Sequence, residues 1–251
     1  MAKVMALANQ KGGVGKTTTA INTGSYLAEL GQKTLIIDID PQGNAGSGLG
    51  INIYDLKTSL YEALIEEIPL EKAIYHTSVE NLDVIPSNIE LSGLEVDLMD
   101  DPNRDQKLLN LIRPIKEQYD FILIDCPPSL GLLTLNALCA AESVLIPLQC
   151  EYFALEGLTQ LLKVIRLVQK SKNPNLKMEG IVLTMYDSRT RLSAQVVQDV
   201  KEHFGKQVFD VIIPRNVKLS EAPSYGEPIG KYDPLSAGAA AYKKLARSLV
   251  H

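Results

Sequence analysis

The stretch NQKGGVGKTTT, residues 9–19, follows an apolar run at residues 4–8 and precedes a helical pattern. A strand that ends in a glycine-rich turn and continues into a helix leaves several backbone N–H groups pointing the same way, where they can bind phosphate oxygens. Lys16 would bring a positive charge to the β- and γ-phosphates of a nucleotide, and the Thr17 hydroxyl could ligate the accompanying Mg²⁺. The stretch therefore predicts a P-loop.

Two further apolar runs, Thr34–Asp38 and Phe121–Asp125, end in an acidic residue. Continuous apolar runs are typical of parallel strands buried on both faces, and ligand-binding groups cluster at the carboxyl ends of such strands. Asp38 and Asp40 would then lie beside the P-loop, one positioning a Mg²⁺-bound water and the other the attacking water. Asp125 fits a Walker B motif that holds Mg²⁺ through water. Two acids that flank a turn are ordinarily turn chemistry alone, and the P-loop is what favours the functional interpretation.

Apolar strands alternate with helical patterns along the whole chain. This order predicts an α/β fold, a doubly wound, mostly parallel sheet flanked by helices, as one P-loop NTPase domain over residues 1–251. Further strands are expected at residues 82–85, 143–147, 181–185 and 208–213. Helices are expected at residues 18–30, 154–169 and 236–249, and a further helix follows residue 191 and ends at about Phe204. Residues 45–118 are the least informative, and we assign no site there.

Composition adds three expectations. No apolar targeting run or membrane-length apolar stretch is present, which predicts a cytoplasmic protein. Cys126, Cys139 and Cys150 form no CxxC motif and lie in apolar surroundings, so we expect buried free thiols and no metal besides Mg²⁺. Residues 1–160 hold 10 Lys and Arg against 22 Asp and Glu, whereas residues 161–251 hold 15 against 8. The last third is a candidate basic face, although a mild basic excess also fits a solvated surface without a partner.

Several segments, in order, resemble those of chromosomal ParA (Soj) proteins, and the resemblance covers essentially the whole chain: KGGVGKTTTAIN, DIDPQGNA, FILIDCPPSLG, IPLQCEYFALEGL and IPRNVKLSEAPSYGEPI. Gln10 replaces the first glycine of the strict P-loop, and Lys11 adds a second lysine. This variant resembles the deviant Walker A motif, KGGxGKT, of the ParA/MinD group of ATPases. Because the P-loop starts at residue 9, we expect no N-terminal helix-turn-helix extension.

The resemblance implies roles for individual residues. ATP would be bound by Lys11, Gly12, Gly13, Val14, Gly15, Lys16, Thr17 and Thr18, with Pro214, Arg215 and Asn216 framing the adenine. Mg²⁺ would lie near Thr17, Asp38, Asp40 and Asp125, and catalysis would involve Lys11, Lys16 and Asp40, the last as the water-activating residue. Lys11 would cross a face-to-face dimer to touch the partner's phosphates, and Gly12 would lie where the two subunits meet.

The resemblance also implies partners. Arg189, Arg215 and Lys218 match a basic DNA-contacting surface of Soj-like proteins, in agreement with the charge distribution. The implied function is an ATP-dependent homodimer that binds nucleoid DNA without sequence specificity and hydrolyses ATP slowly, stimulated by a ParB-type protein, for chromosome partitioning. An influence on a replication initiator, as in Soj relatives, belongs to the same expectation.

Three alternatives remain open. A MinD-like membrane ATPase would need a C-terminal amphipathic helix rich in bulky apolar residues, whereas residues 239–251 are rich in Ala without Phe or Trp, so no membrane partner is expected. A reductase like the nitrogenase iron protein would need bridging cysteines, but Cys126 precedes two prolines and the other two lack cluster spacing. A small-molecule kinase would need an acceptor pocket, and none is legible.

Overall fold

The structure is a computed structural model that describes residues 2–65, 68–152 and 154–250. Its strands are β1 (Lys3–Leu7), β2 (Thr34–Asp38), β3 (Tyr75–His76), β4 (Leu82–Ile85), β5 (Phe121–Asp125), β6 (Ser143–Gln149), β7 (Lys177–Tyr186) and β8 (Val208–Pro214). They form a sheet in the order β3-β4-β2-β5-β1-β6-β7-β8. The strand pairs are parallel apart from the antiparallel β3–β4 edge. The predicted fold class is confirmed.

Helices cover both faces of this sheet. They are α1 (Lys16–Glu29), α2 (Asn44–Gly48), α3 (Leu60–Ile65), α4 (Leu94–Asp97), α5 (Lys107–Ile112), α6 (Leu132–Ala140), α7 (Ala154–Ser171), α8 (Arg191–Phe204), α9 (Val217–Glu221), α10 (Ile229–Tyr232) and α11 (Ala237–Val250). None of the helices in the described ranges has the length and apolar content needed to cross a bilayer.

The central strands are apolar throughout because each face of the sheet has its own core. In β2, Ile37 packs in the core that also contains residues of α6 and α7, whereas its neighbour Ile36 packs in the core that contains residues of α1 and α11. Successive side chains of a strand point to opposite faces, so a strand covered on both sides needs apolar residues at every position. This explains why β2 and β5 have the bounds that the sequence predicted.

The ends of α1 follow from local chemistry. At its C-terminus Gly31 N–H donates to the Ala28 carbonyl (2.9 Å) and Gln32 N–H to the Leu27 carbonyl (3.0 Å), the paired bonds of a Schellman motif. At its N-terminus the helix begins at Lys16, two residues before the predicted start, because Thr19 N–H already bonds to the Gly15 carbonyl at 2.8 Å. The P-loop therefore supplies the first helical turn.

The order of the strands places the P-loop at the topological switch point of the sheet, between β1 and β6. From β1 the chain continues through α1 to β2 on one side, whereas β6, β7 and β8 lie on the other. The crevice at such a switch point, outside the carboxyl ends of the strands, is where ligands bind in open α/β sheets. In the register of neighbouring strands, Asp125 pairs with Leu7 on one side and with Asp38 on the other. The two predicted strand-end acids are thus direct neighbours.

Candidate nucleotide-binding site

The P-loop has the backbone conformation that its glycines predict. Gly13 and Gly15 have φ values of 72° and 89°, in the left-handed region where a side chain would be strained. Thr184 Oγ1 on β7 donates to the Val14 carbonyl at 2.8 Å, and Asn9 Nδ2 donates to a carbonyl of β6 at 2.7 Å. The loop is therefore held open by two strands before any ligand arrives.

Two adjoining cavities lie over this loop. The first, of about 550 Å³, is lined by Gly12, Gly13, Gly15, Lys16, Thr17, Thr18, Asp40, Pro41, Gln42, Asn44, Ser92, Pro128 and Met185. The second, of about 700 Å³, shares five of these residues and extends to Pro214, Arg215 and Asn216. Their volumes are in the range of small-molecule sites. The first cavity has the groups to bind phosphates, and the second has room for a ribose and a base at the predicted adenine segment.

Lys16 is buried beneath the loop, with only 7% of its surface exposed. Its Nζ donates to the Lys11 carbonyl at 3.2 Å, which folds the side chain back along the loop. Burial lowers the pKa of Lys16, and the nearby Asp125 carboxylate opposes that shift. A buried cation of this kind needs an anionic partner, and the cavity above it is where phosphate oxygens would supply one.

Asp125 is completely buried, and neither of its carboxylate oxygens makes a hydrogen bond of ordinary geometry with the described residues. Burial, and after it the Asp38 carboxylate, raises the pKa of Asp125 well above its ordinary value. An orphaned buried carboxylate beside Thr17 fits a Mg²⁺ site. No group of three or more His, Cys, Asp or Glu in the described residues is arranged to hold a metal ion.

Asp38 has a different visible role. Its Oδ2 accepts hydrogen bonds from Ala45 N–H (2.8 Å) and Gly46 N–H (3.4 Å), and its Oδ1 accepts one from Asp40 N–H (3.1 Å). Burial raises the pKa of Asp38. The carboxylate thus anchors the start of α2 and the turn that carries Asp40, which lines the first cavity. Asp38 does not line either cavity, so its direct role at the metal remains a prediction.

Lys11 and Gly12 are not explained by the chain's own site. Lys11 lines neither cavity, and it pairs with Glu151, a residue that lines the second cavity, with 2.8 Å between Nζ and Oε2. Gly12 lies outside the left-handed region, and among the described residues a Cβ built on it would meet only the Pro128 Cβ, at an ordinary 3.9 Å. Neither the conformation nor the packing of this chain requires glycine at position 12. A requirement for glycine would come from what binds there, since Gly12 lines the first cavity and also lies at the predicted meeting point of two subunits.

The three predicted DNA-binding residues, which we call the basic surface, are Arg215, which lines the second cavity, and Arg189 and Lys218, which line neither cavity. Arg189 binds Asp187 through Nε (2.9 Å) and Nη2 (2.7 Å), and the positive charge of Arg215 acts on the same carboxylate. Lys218 pairs with Glu221 at 2.9 Å. Arg215 N–H donates to the Tyr186 carbonyl at 2.8 Å, which ties the end of β8 to the end of β7. The structure therefore brings Arg189 and Arg215 together around Asp187.

Sequence reasoning missed several residues of this region. Ser92 lines the first cavity although it comes from the stretch to which we assigned no site. Met185 lines both cavities and has a φ of 53°, a conformation that is rare for a residue with a side chain. Glu151 was visible as an acid just after the end of β6, but nothing in the sequence indicated that it pairs with Lys11. Strand-end position was the signal for Met185, whereas Ser92 had none.

The sequence matches the family model described as an AAA domain over residues 2–178. It is 54% identical over 248 residues to the chromosome partitioning protein ParA of Myxococcus xanthus (strain DK1622), covering 99% of this chain and 88% of that protein. It is 53% identical over 249 residues to the sporulation initiation inhibitor protein Soj of Bacillus subtilis (strain 168), covering 99% and 98%.

A solved structure shares the fold. Cobyrinic acid a,c-diamide synthase from Mycobacterium smegmatis with bound ADP and magnesium has a TM-score of 0.88 at 38% identity, covering 100% of this chain and 94% of that one. The geometry of the P-loop, the acids at neighbouring strand ends and the full-length similarity agree. The chain belongs to the ParA/Soj family of chromosome-partitioning ATPases.

Proposed function

We propose that this ATPase is a dimerisation switch: ATP joins two copies face to face into a dimer that binds DNA without sequence specificity, and slow hydrolysis separates them. One observation carries the proposal, the different positions of the two P-loop lysines. Lys16 is buried beneath its own loop and lines the first cavity, whereas Lys11 lines neither cavity and has a half-exposed side chain. A loop that needs only one lysine for its own nucleotide has a second lysine available for another.

The contacts of Lys11 would allow its ammonium group to leave Glu151 and bind the phosphates of a second copy of the chain. Its ion pair with Glu151 is half-exposed on both sides, and such pairs contribute little in water because solvent screens them. The phosphates of a second copy could therefore replace Glu151 as the counter-ion at small cost. Gly12 supports the same arrangement, since its missing side chain leaves the loop flat where two nucleotides would meet.

Within one site, Lys16 would neutralise the β- and γ-phosphates, and Asp40 would orient and deprotonate the attacking water. The backbone of Asp40 is held by Asp38 and by a hydrogen bond from the Ser87 hydroxyl to its carbonyl, so the carboxylate starts from a fixed turn. Thr17 and Asp125, with Asp38 and Asp40 close by, would hold Mg²⁺, which neutralises phosphate charge when bound. The remaining chemistry is positioning of water and phosphate by this chain's own residues.

DNA binding is proposed for the basic surface. Non-specific affinity comes mainly from counterions released as cations contact phosphates, with a salt slope of roughly −0.9 per contact. A dimer presents two copies of Arg189, Arg215 and Lys218, which approximately doubles that slope and the electrostatic free energy. A chain that binds DNA weakly alone could thus bind it well only with ATP.

We further propose that a ParB-type protein stimulates hydrolysis, that the protein acts in the cytoplasm on the nucleoid, and that its purpose is chromosome partitioning. A replication initiator is the second proposed partner. These statements are supported by the likeness to ParA of M. xanthus and Soj of B. subtilis, and by the charge distribution of the last third of the chain.

The membrane alternative is disfavoured by packing. A MinD-like anchor would need the apolar face of the C-terminal helix to be available to lipid. In α11, Tyr242, Leu245 and Leu249 are buried in the core that contains α1, and the Tyr242 hydroxyl lies 3.1 Å from Thr19 Oγ1. Binding of this helix face to a membrane would require these side chains to leave the core.

The deciding experiment is fluorescence anisotropy with two unrelated DNA duplexes, with ATP, ADP or no nucleotide, over a salt series. We expect tight, salt-sensitive and sequence-indifferent binding with ATP alone, and its loss in Arg189→Glu. If the protein binds neither duplex with ATP, with ADP or without nucleotide, the proposal that DNA is its partner is wrong. Co-sedimentation with anionic liposomes in ATP then tests the membrane alternative.

A further inference from the structure

We propose that Asp187 and Glu221 are built-in counter-charges that lower the DNA affinity of the basic surface, each neutralising a cation that would otherwise contact a phosphate. The inference rests on the proposed DNA-binding function and concerns its regulation. It arises from the pairing of two of the three predicted DNA-binding cations with carboxylates of their own chain.

Asp187 binds Arg189 with a geometry that competes directly with a phosphate. The guanidinium presents two N–H groups to the two carboxylate oxygens, the same fork with which arginine binds phosphate oxygens. The Arg189 hydrogen bonds hold the pKa of Asp187 well below its ordinary value, so the carboxylate stays charged at neutral pH. Because the Arg189 side chain is 83% exposed, the pair faces solvent, where DNA would approach.

Glu221 is oriented towards Lys218 by a third residue. Its Oε2 accepts hydrogen bonds from Lys218 Nζ and from the Tyr232 hydroxyl, both at 2.9 Å. Lys218 Nζ also lies 5.7 Å from the centre of the Tyr232 ring. The tyrosine therefore keeps the carboxylate next to the lysine instead of letting it move freely in solvent.

Stability does not explain these contacts. Exposed ion pairs contribute little to folding because water and salt screen them and because ordering the side chains costs entropy. Their effect on a polyanion is larger, because the charges of Arg189 and Asp187, and those of Lys218 and Glu221, cancel within each pair. To bind the cation, a DNA phosphate must either displace the carboxylate or bind despite the repulsion from it. Binding by one chain is then weak, and a dimer is needed.

The test compares charge-neutral variants in the ATP-dependent anisotropy assay. Asp187→Asn keeps the side-chain oxygen that accepts the Arg189 N–H at 3.0 Å, so the turn can persist without the charge. We expect its DNA affinity to rise roughly 3- to 10-fold near 0.1 M salt, and the salt slope to steepen by about 1 to 2 as contacts are added in the dimer. Glu221→Gln should act in the same direction, and the double variant should bind detectably with ADP.

Asp210→Asn is the matched control. It removes the same charge from β8, five residues from Arg215 and thus roughly 16 Å away along the strand. That distance exceeds the Debye length of about 10 Å at 0.1 M salt, so DNA affinity should not change. Thermal melting of every variant checks that it is folded.

Three results would overturn the inference while leaving DNA binding intact. One is wild-type affinity in both Asp187→Asn and Glu221→Gln, and another is weaker binding, which would mean that the carboxylates orient the cations for DNA. Equal gains in Asp210→Asn would also refute it, because the effect would then be net charge alone. Failure of the proposed function itself looks different, since wild type and all variants would ignore DNA at every salt concentration.

Discussion

The phosphate side of the site and the basic surface use charge in opposite ways. At the phosphate side Lys16, Asp38 and Asp125 are buried, and their positions are set by the P-loop and by paired strand ends. On the basic surface Arg189 and Lys218 are exposed and paired with carboxylates of the same chain. Buried charges are costly to disturb, whereas exposed ones are screened and adjustable. In the proposed function, ATP hydrolysis relies on the buried charges, and DNA affinity relies on the exposed, adjustable ones.

The strongest test of this contrast replaces each P-loop lysine in turn. Lys16→Ala should weaken ATP binding at least about a hundredfold, because it removes a buried charged contact to phosphate worth roughly 3 kcal/mol. Lys11→Ala makes the same change at the exposed position and should leave ATP binding by the single chain near normal while preventing dimers. Isothermal titration calorimetry and light scattering measure the two effects. Normal ATP affinity in Lys16→Ala would refute the assignment of the P-loop.

A second test separates binding from hydrolysis at the phosphate side. Asp40→Ala should bind ATP and accumulate as a dimer, while turnover falls about a hundredfold or more, the usual effect of losing a general base. Phosphate release gives the turnover, and size-exclusion chromatography with light scattering gives the dimer fraction. Undiminished turnover would remove Asp40 from the water-activating role.

The smallest effect is expected on the basic surface. Lys218→Gln should weaken ATP-dependent DNA binding by no more than about 3-fold and reduce the salt slope by less than about 1 for each chain, because Glu221 already offsets part of the phosphate contact that Lys218 would make. ATP binding is the internal control, measured on the same sample. An effect as large as that of Lys16→Ala would show that this surface is not the adjustable region that we describe.

The parts of the site that the sequence predicted are those where backbone geometry follows from a short local pattern. The P-loop needs its glycines at left-handed φ, and β2 and β5 read as continuous apolar runs because both faces are covered. Residues in the same strand register then meet by topology. The strand-end pattern and the resemblance put Asp38 and Asp125 on the Mg²⁺ side of the site, whereas the pairing of β2 with β5 that makes them direct neighbours came from the structure.

The parts that could not be predicted depend on contacts between distant segments or lack a periodic pattern. Helix α6 has apolar residues nearly all round because it is buried, so no helical stripe was visible. Ser92 reaches the first cavity through a 3₁₀ segment with no motif of its own. The Lys11–Glu151 pair joins residues 140 positions apart. The glycine-rich sequence of α2 did not indicate a helix either. The start of this helix is stabilised by Asp38, which lies outside it.

The sheet order has a consequence for how the protein folds during synthesis. The first strand made, β1, lies between β5 and β6, so its two neighbours end at Asp125 and Gln149. More than half of the chain must leave the ribosome before β1 can be paired on both edges. Such long-range parallel pairing is slow, and it leaves an apolar strand exposed in the nascent chain. The P-loop is synthesised early, but the strands that support it come late. A chain that ends before β6 would therefore have no working P-loop.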